Sequence, residues 1–110
     1  MTRVAIVGAG PAGLFAAHAL VRRGFEVVVI DMGKHVSERS RAEPFDLLHG
    51  MGGSGTFSDG KINFHAQVGG DLYEFLRIDA AWELVNHIER VLAGYDVHVI
   101  PTDDDRTRDL

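Results

Sequence analysis

The stretch "VAIVGAGPAGLFAAHALVRRGFEVVVID", residues Val4–Asp31, decides how this chain folds. Val4–Val7 and Val27–Ile30 are unbroken apolar runs rich in β-branched residues. They read as strands buried on both faces, the pattern of a parallel sheet under helices. Between them, Leu14, Ala17, Leu20 and Val21 recur near helical spacing. Pro11 suits a first helical turn, where its missing N–H costs nothing. Arg22 and Arg23 complement the dipole at the helix end, and Gly24 is a natural stop. Strand, helix, strand in 28 residues is a βαβ unit, expected to be right-handed.

Gly8, Gly10 and Gly13 fall where the first strand becomes the helix. Glycine weakens either element by about 0.5–1 kcal/mol relative to alanine, so the turn must need backbone without side chains. Gly8-Ala9-Gly10-Pro11-Ala12-Gly13 is G-x-G-x-x-G in its proper setting. The first glycine permits the tight turn, the second lets a pyrophosphate approach, and the third lets helix pack on strand. Free N–H groups and the positive helix end then stabilise phosphate charge. Asp31 ends the second strand eighteen residues after Gly13, placed to accept hydrogen bonds from ribose hydroxyls. Its charge would repel a 2′-phosphate, which disfavours an NADP-type ligand.

From Met32 to Gly70 the periodicity fades, and eight glycines accumulate. This reads as a glycine-rich loop region with brief ordered pieces, and so long a loop is uncommon unless it is functional. Order returns at Asp79, a candidate N-cap. Ala81, Leu84, Val85, Ile88, Val91 and Leu92 then mark an amphipathic helix to Ala93. A short strand over Val97–Ile100 and an acidic helix start at Asp103–Asp105 complete the reading. The ending looks cut, so the chain is expected to be a piece of a larger protein.

Composition narrows the function. One domain at most fits 110 residues, and 45% hydrophobic content supports a core. A net charge of −5 without a Lys/Arg cluster argues against nucleic-acid and polybasic membrane partners. With no cysteine, disulfides and thiol chemistry are excluded. The start lacks a signal-peptide pattern and no run approaches the length of a membrane span, so a cytoplasmic location is expected. Six histidines show no H-x-x-x-H or H-E-x-x-H pairing, and no metal site is expected. Ser58 lacks a nucleophile elbow, and Ser58-Asp59-Gly60 reads as a turn in which Asp59 bonds nearby backbone. Trp82 and Phe75 read as core, and Arg39 and Arg41 as ordinary loop arginines.

A second glycine cluster, "HGMGGSGTFSDGKIN" from His49 to Asn63, separates the candidate ligands. A plain NAD domain would enter another helix there, whereas the longer FAD often draws a second glycine-rich segment to its diphosphate and flavin end. The opening "GAGPAG" resembles the FAD-binding domain of two-dinucleotide-binding-domain flavoproteins. Gly50 through Lys61 is similar to the G-x-G-G-[AS]-G-x-F-S-D-G-K signature of bacterial FAD-dependent dehydrogenases, and Val68–Leu76 also resembles that family.

The resemblance implies a Rossmann-like α/β FAD-binding domain, here its amino-terminal part over residues 1–110. Gly8, Ala9, Gly10, Pro11, Ala12 and Gly13 would bind the FAD diphosphate and Asp31 the adenosine ribose. Gly52, Gly53, Ser54, Gly55 and Thr56 would run beside the diphosphate and ribityl chain. Asp31 stands where such flavoproteins more often carry Glu, and the stretch from Arg41 to Gly50 lacks their aromatic-rich insert. Lys61 reads either as a solvated lysine or as a cation near flavin N1. The implied activity is FAD-dependent oxidoreduction, with an unassigned substrate and NAD(P)H or another electron donor as partner. No catalytic acid or base can be named, and this chain alone would be catalytically incomplete. The alternatives are an NAD-binding Rossmann oxidoreductase and a non-catalytic FAD-binding module.

Overall fold

The computed structural model describes residues 1–97, which form two compact units divided between Lys61 and Ile62. The first unit contains the expected βαβ arrangement: β1 (Arg3–Val7), α1 (Pro11–Arg22) and β2 (Glu26–Ile30). The strands pair in parallel, with Val4 opposite Val27 and Ile6 opposite Val29. α1 starts with Pro11 in its first turn and ends at Arg22. Gly24 reverses the chain at φ +86°, in the left-handed region that glycine enters without a Cβ penalty.

The strands are not buried on both faces. Val4, Ile6, Val27 and Val29 are half-buried, and Ile6 approaches Gly13 of α1. Ala5, Val7, Val28 and Ile30 alternate onto the other face and are exposed. The β-branched run expresses what strands of this composition can bury, while one helix covers only one face of a two-stranded sheet. The Arg3–Glu26 ion pair at 2.8 Å joins the two strands at their starts.

The loop region holds more order than its composition suggests. It contains one turn of 3₁₀ helix at Val36–Glu38, a short helix α2 (Pro44–Leu48) and a 3₁₀ turn at Gly53–Phe57. Pro44 occupies the first turn of α2 and Asp46 its acidic start, which suit a helix beginning.

The second unit centres on Ala66, Ala81 and Val85, with Phe64, Leu72, Tyr73, Leu76 and Trp82 packed against them. Its helix α3 (Ile78–Ala93) begins one residue before Asp79, and Arg77 is the extended residue that precedes it. Asp79 therefore sits in the first turn instead of capping it. A carboxylate there still favours the positive helix end. Trp82 joins the core, but Phe75 is 80% exposed. The 3₁₀ turn at Leu72–Glu74 breaks the helical spacing on which a buried Phe75 depended. The strand expected over Val97–Ile100 and the helix start at Asp103–Asp105 lie outside the described residues, apart from Val97 at their edge.

Candidate functional site

The three glycines of the first turn serve different needs. Gly8 adopts φ +106°, so a side chain there would be strained. A Cβ on Gly13 would run into the Gly8 carbonyl, the close helix–strand approach expected of the third position. Gly10 differs from both. Its backbone is extended at φ −74°, which any residue adopts, and a Cβ there would meet no atom within 4 Å. Nothing within the described residues requires a glycine at this position.

α1 opens without a side-chain cap and without an acidic residue in its first turn. The amides of Gly10, Ala12 and Gly13 find no hydrogen-bond acceptor among the described residues. Unpaired donors at a helix start, beside an open glycine, form a cradle for an anion.

Asp31 sits at the mouth of this turn. Its Oδ2 accepts the Ala9 N–H at 2.9 Å and its Oδ1 accepts the Gly33 N–H at 2.8 Å. The Ala9 amide above all, then the Gly33 amide, hold the carboxyl below its ordinary value of 3.8. An ionised carboxylate has about four acceptor sites. The Ala9 and Gly33 amides, with the Gly50 amide also acting on the carboxyl, leave it further acceptor capacity.

The second glycine segment lies against the first. The Gly52 N–H donates to the Ala9 carbonyl at 2.7 Å, so the Ala9 peptide is held on both sides, by Asp31 and by Gly52. A Cβ on Gly53 would stand 3.6 Å from Gly10 Cα and 3.7 Å from Pro11 Cδ. Gly52 takes φ +87°, and a Cβ there would collide with Thr56 Oγ1. That hydroxyl donates to the Met51 carbonyl at 2.8 Å. Ser54, Gly55 and Thr56 follow on the 3₁₀ turn and are exposed, and Gly55 faces open space. Gly8–Gly13, Asp31 and Gly52–Gly53 thus converge, with Ser54–Thr56 continuing from them.

Sequence reasoning passed over one buried residue beside this convergence. Arg39 is buried, not an ordinary loop arginine, and binds residues of α2 and of the second glycine segment. Asp46 is buried beside it and accepts from the Ser40 N–H at 3.0 Å and Lys34 Nζ at 3.4 Å. The Ser40 amide chiefly, helped by Lys34, lowers the Asp46 carboxyl pKa. Arg41 stays exposed and donates to the Phe57 carbonyl.

Lys61 is exposed and pairs with Asp59 at 3.7 Å, while Asp59 also accepts the Lys61 N–H at 3.1 Å, the expected turn. Among the described residues no cluster of three His, Cys, Asp or Glu side chains could hold a metal. No helix of the described residues is long and apolar enough to cross a membrane. The second unit has a cleft of about 330 Å³ lined by residues such as Phe64, Leu72, Phe75, Val85 and Ile88, and none of the expected site residues lines it.

A parallel βαβ unit whose glycine turn leaves amide donors free, with an acid closing the second strand, defines a dinucleotide-binding domain of Rossmann type. The model of the NAD(P)-binding Rossmann-like domain family matches residues 6–78, and the chain belongs to that family. An uncharacterized protein of Clostridium beijerinckii is 39% identical over 71 residues, covering 54% of this chain. The chain spans 13% of that relative's length. No solved structure matches the chain.

Proposed function

We propose that this chain is the FAD-binding portion of an FAD-dependent oxidoreductase. The observation that carries the reading is Gly10. The fold leaves it free to bear a side chain, yet the position is empty beside three unpaired amides. A diphosphate is the group that uses both features. FAD is favoured over NAD by the second glycine segment, bonded to the first through Gly52 and Ala9. A ligand longer at its diphosphate and flavin end has residues Gly52–Thr56 to run beside.

In this reading the Gly10, Ala12 and Gly13 amides bind diphosphate oxygens, and Asp31 accepts from the adenosine ribose. Bound flavin supplies hydride or electron transfer, while the protein positions and tunes it. The substrate and the electron donor, NAD(P)H or another, belong to the whole protein. The native polypeptide purified under native conditions is expected to be yellow and to release FAD on denaturation. Colourless protein that binds NAD instead would replace FAD by the nicotinamide cofactor.

A further inference from the structure

We propose that Arg39 is the positioning residue of the dinucleotide site, holding the second glycine segment against the Gly8–Gly13 turn. The inference rests on the FAD reading above and adds to it a residue far from the fingerprint. Arg39 is 8% exposed, and each of its five N–H donors has an acceptor. Nε donates to the Asp46 carbonyl at 2.8 Å, and one terminal nitrogen to the Met51 carbonyl and Thr56 Oγ1, each at 3.0 Å. The other terminal nitrogen reaches the Gly53 carbonyl at 3.0 Å and the Leu47 carbonyl at 3.5 Å. The Phe57 ring lies 4.9 Å below the guanidinium carbon.

These acceptors have a common consequence. Met51, Gly53 and Thr56 bracket Gly52, whose N–H reaches Ala9 in the first turn. Fixing both sides of Gly52 fixes that hydrogen bond and the approach of Gly53 to Gly10. The other two acceptors are carbonyls of α2, so the guanidinium ties the segment to a helix. Gly50 leaves room for this arrangement: a Cβ there would stand 2.9 Å from Arg39 Cδ and Nε. All five acceptors are neutral, and the nearby Asp46 carboxylate, bonded by Ser40 and Lys34, also feels the Arg39 charge. Arg39 thus acts on the segment that borders the proposed diphosphate site through its hydrogen bonds. Lysine could not replace it, because three donors on one nitrogen cannot span acceptors fanned around a planar fork.

The test uses the native polypeptide, with FAD titrated into apoprotein and amide exchange followed without ligand. Arg39→Ala is expected to raise the FAD dissociation constant about tenfold or more, the scale of a lost charge-assisted network. Exchange at the Gly52 amide should accelerate while the β1 and β2 amides keep their protection. Guanidinium ion, added well below denaturing concentrations, should refill the space and recover FAD affinity, an effect that simple loss of stability would not produce. Should Arg39→Ala fail to fold, Arg39→Lys carries the same expectation with a smaller loss. Wild-type FAD affinity and unchanged Gly52 exchange in a folded Arg39 variant would overturn the role of Arg39 alone. A wild-type protein that binds no FAD would overturn the cofactor reading instead.

Discussion

The Ala9 N–H donates to Asp31 Oδ2 at 2.9 Å, so the acid at the end of β2 closes the glycine turn at the end of β1. One carboxylate shapes the turn and is the group proposed to accept from the ribose. Asp31→Ala is therefore expected to weaken FAD binding about tenfold or more, since a charge-assisted hydrogen bond contributes roughly 1.5–3 kcal/mol. FMN, which has no adenosine ribose, should lose less. Parallel titration of the two flavins measures the difference, and equal losses would move Asp31 off the ribose and leave it the turn alone.

The same bond sets a pH dependence. The folded Asp31 carboxyl lies below its ordinary 3.8, held there first by the Ala9 amide. Its contribution to stability is complete above the unfolded value and disappears as pH falls through the lower folded one. Thermal melts should thus show an acid loss below the ordinary carboxylate range that Asp31→Asn removes. A melting temperature with the same acid slope in Asp31→Asn would assign that slope to other groups.

Gly52 tests the second segment. A side chain there meets Thr56 Oγ1 and must adopt φ +87°, which costs a non-glycine residue roughly 1–2 kcal/mol. Gly52→Ala should destabilise the protein by more than this, because the collision adds to the backbone cost. Thr56→Ala in the same chain should recover the collision part and not the backbone part. A double-mutant cycle in denaturant reads the coupling directly. Additive effects would show that the two residues do not meet.

The first unit was largely legible in the sequence because its signals are local. Strand runs, Pro11, the terminal arginines and Gly24 each constrain their own neighbourhood, and β1, α1 and β2 fall within a residue of expectation. The covering of β1 and β2 was not legible, since an apolar run states what can be buried and not what packs on it. α2 is too short for periodicity, although Pro44 followed by Asp46 carried a helix-start signal. Arg39 left no trace because four of its five acceptors are backbone carbonyls, which every residue has. Only the fold brings those oxygens to one point.

The uncovered face of β1 and β2 has a solution consequence. Val7, Val28 and Ile30 are 85%, 42% and 50% exposed on adjacent parallel strands. Apolar strands with free edges pair with other chains. Residues 1–110 expressed by themselves should therefore self-associate, and Val28→Lys should shift size-exclusion profiles toward monomer. A monodisperse monomer of the unaltered segment would contradict this.

The space that Gly10 leaves open is the one proposed for the diphosphate of FAD. Gly10→Val is the substitution that checks this, because the extended backbone suits valine and a Cβ there meets no atom within 4 Å. Loss of binding would then report on the ligand and not on the fold. The measurement is flavin absorbance per chain in native polypeptide with and without the substitution, alongside the thermal melt of the apoprotein. The expected result is one FAD per wild-type chain, almost none in Gly10→Val, and an apoprotein melt that scarcely changes. Stoichiometric FAD retained by Gly10→Val would contradict it.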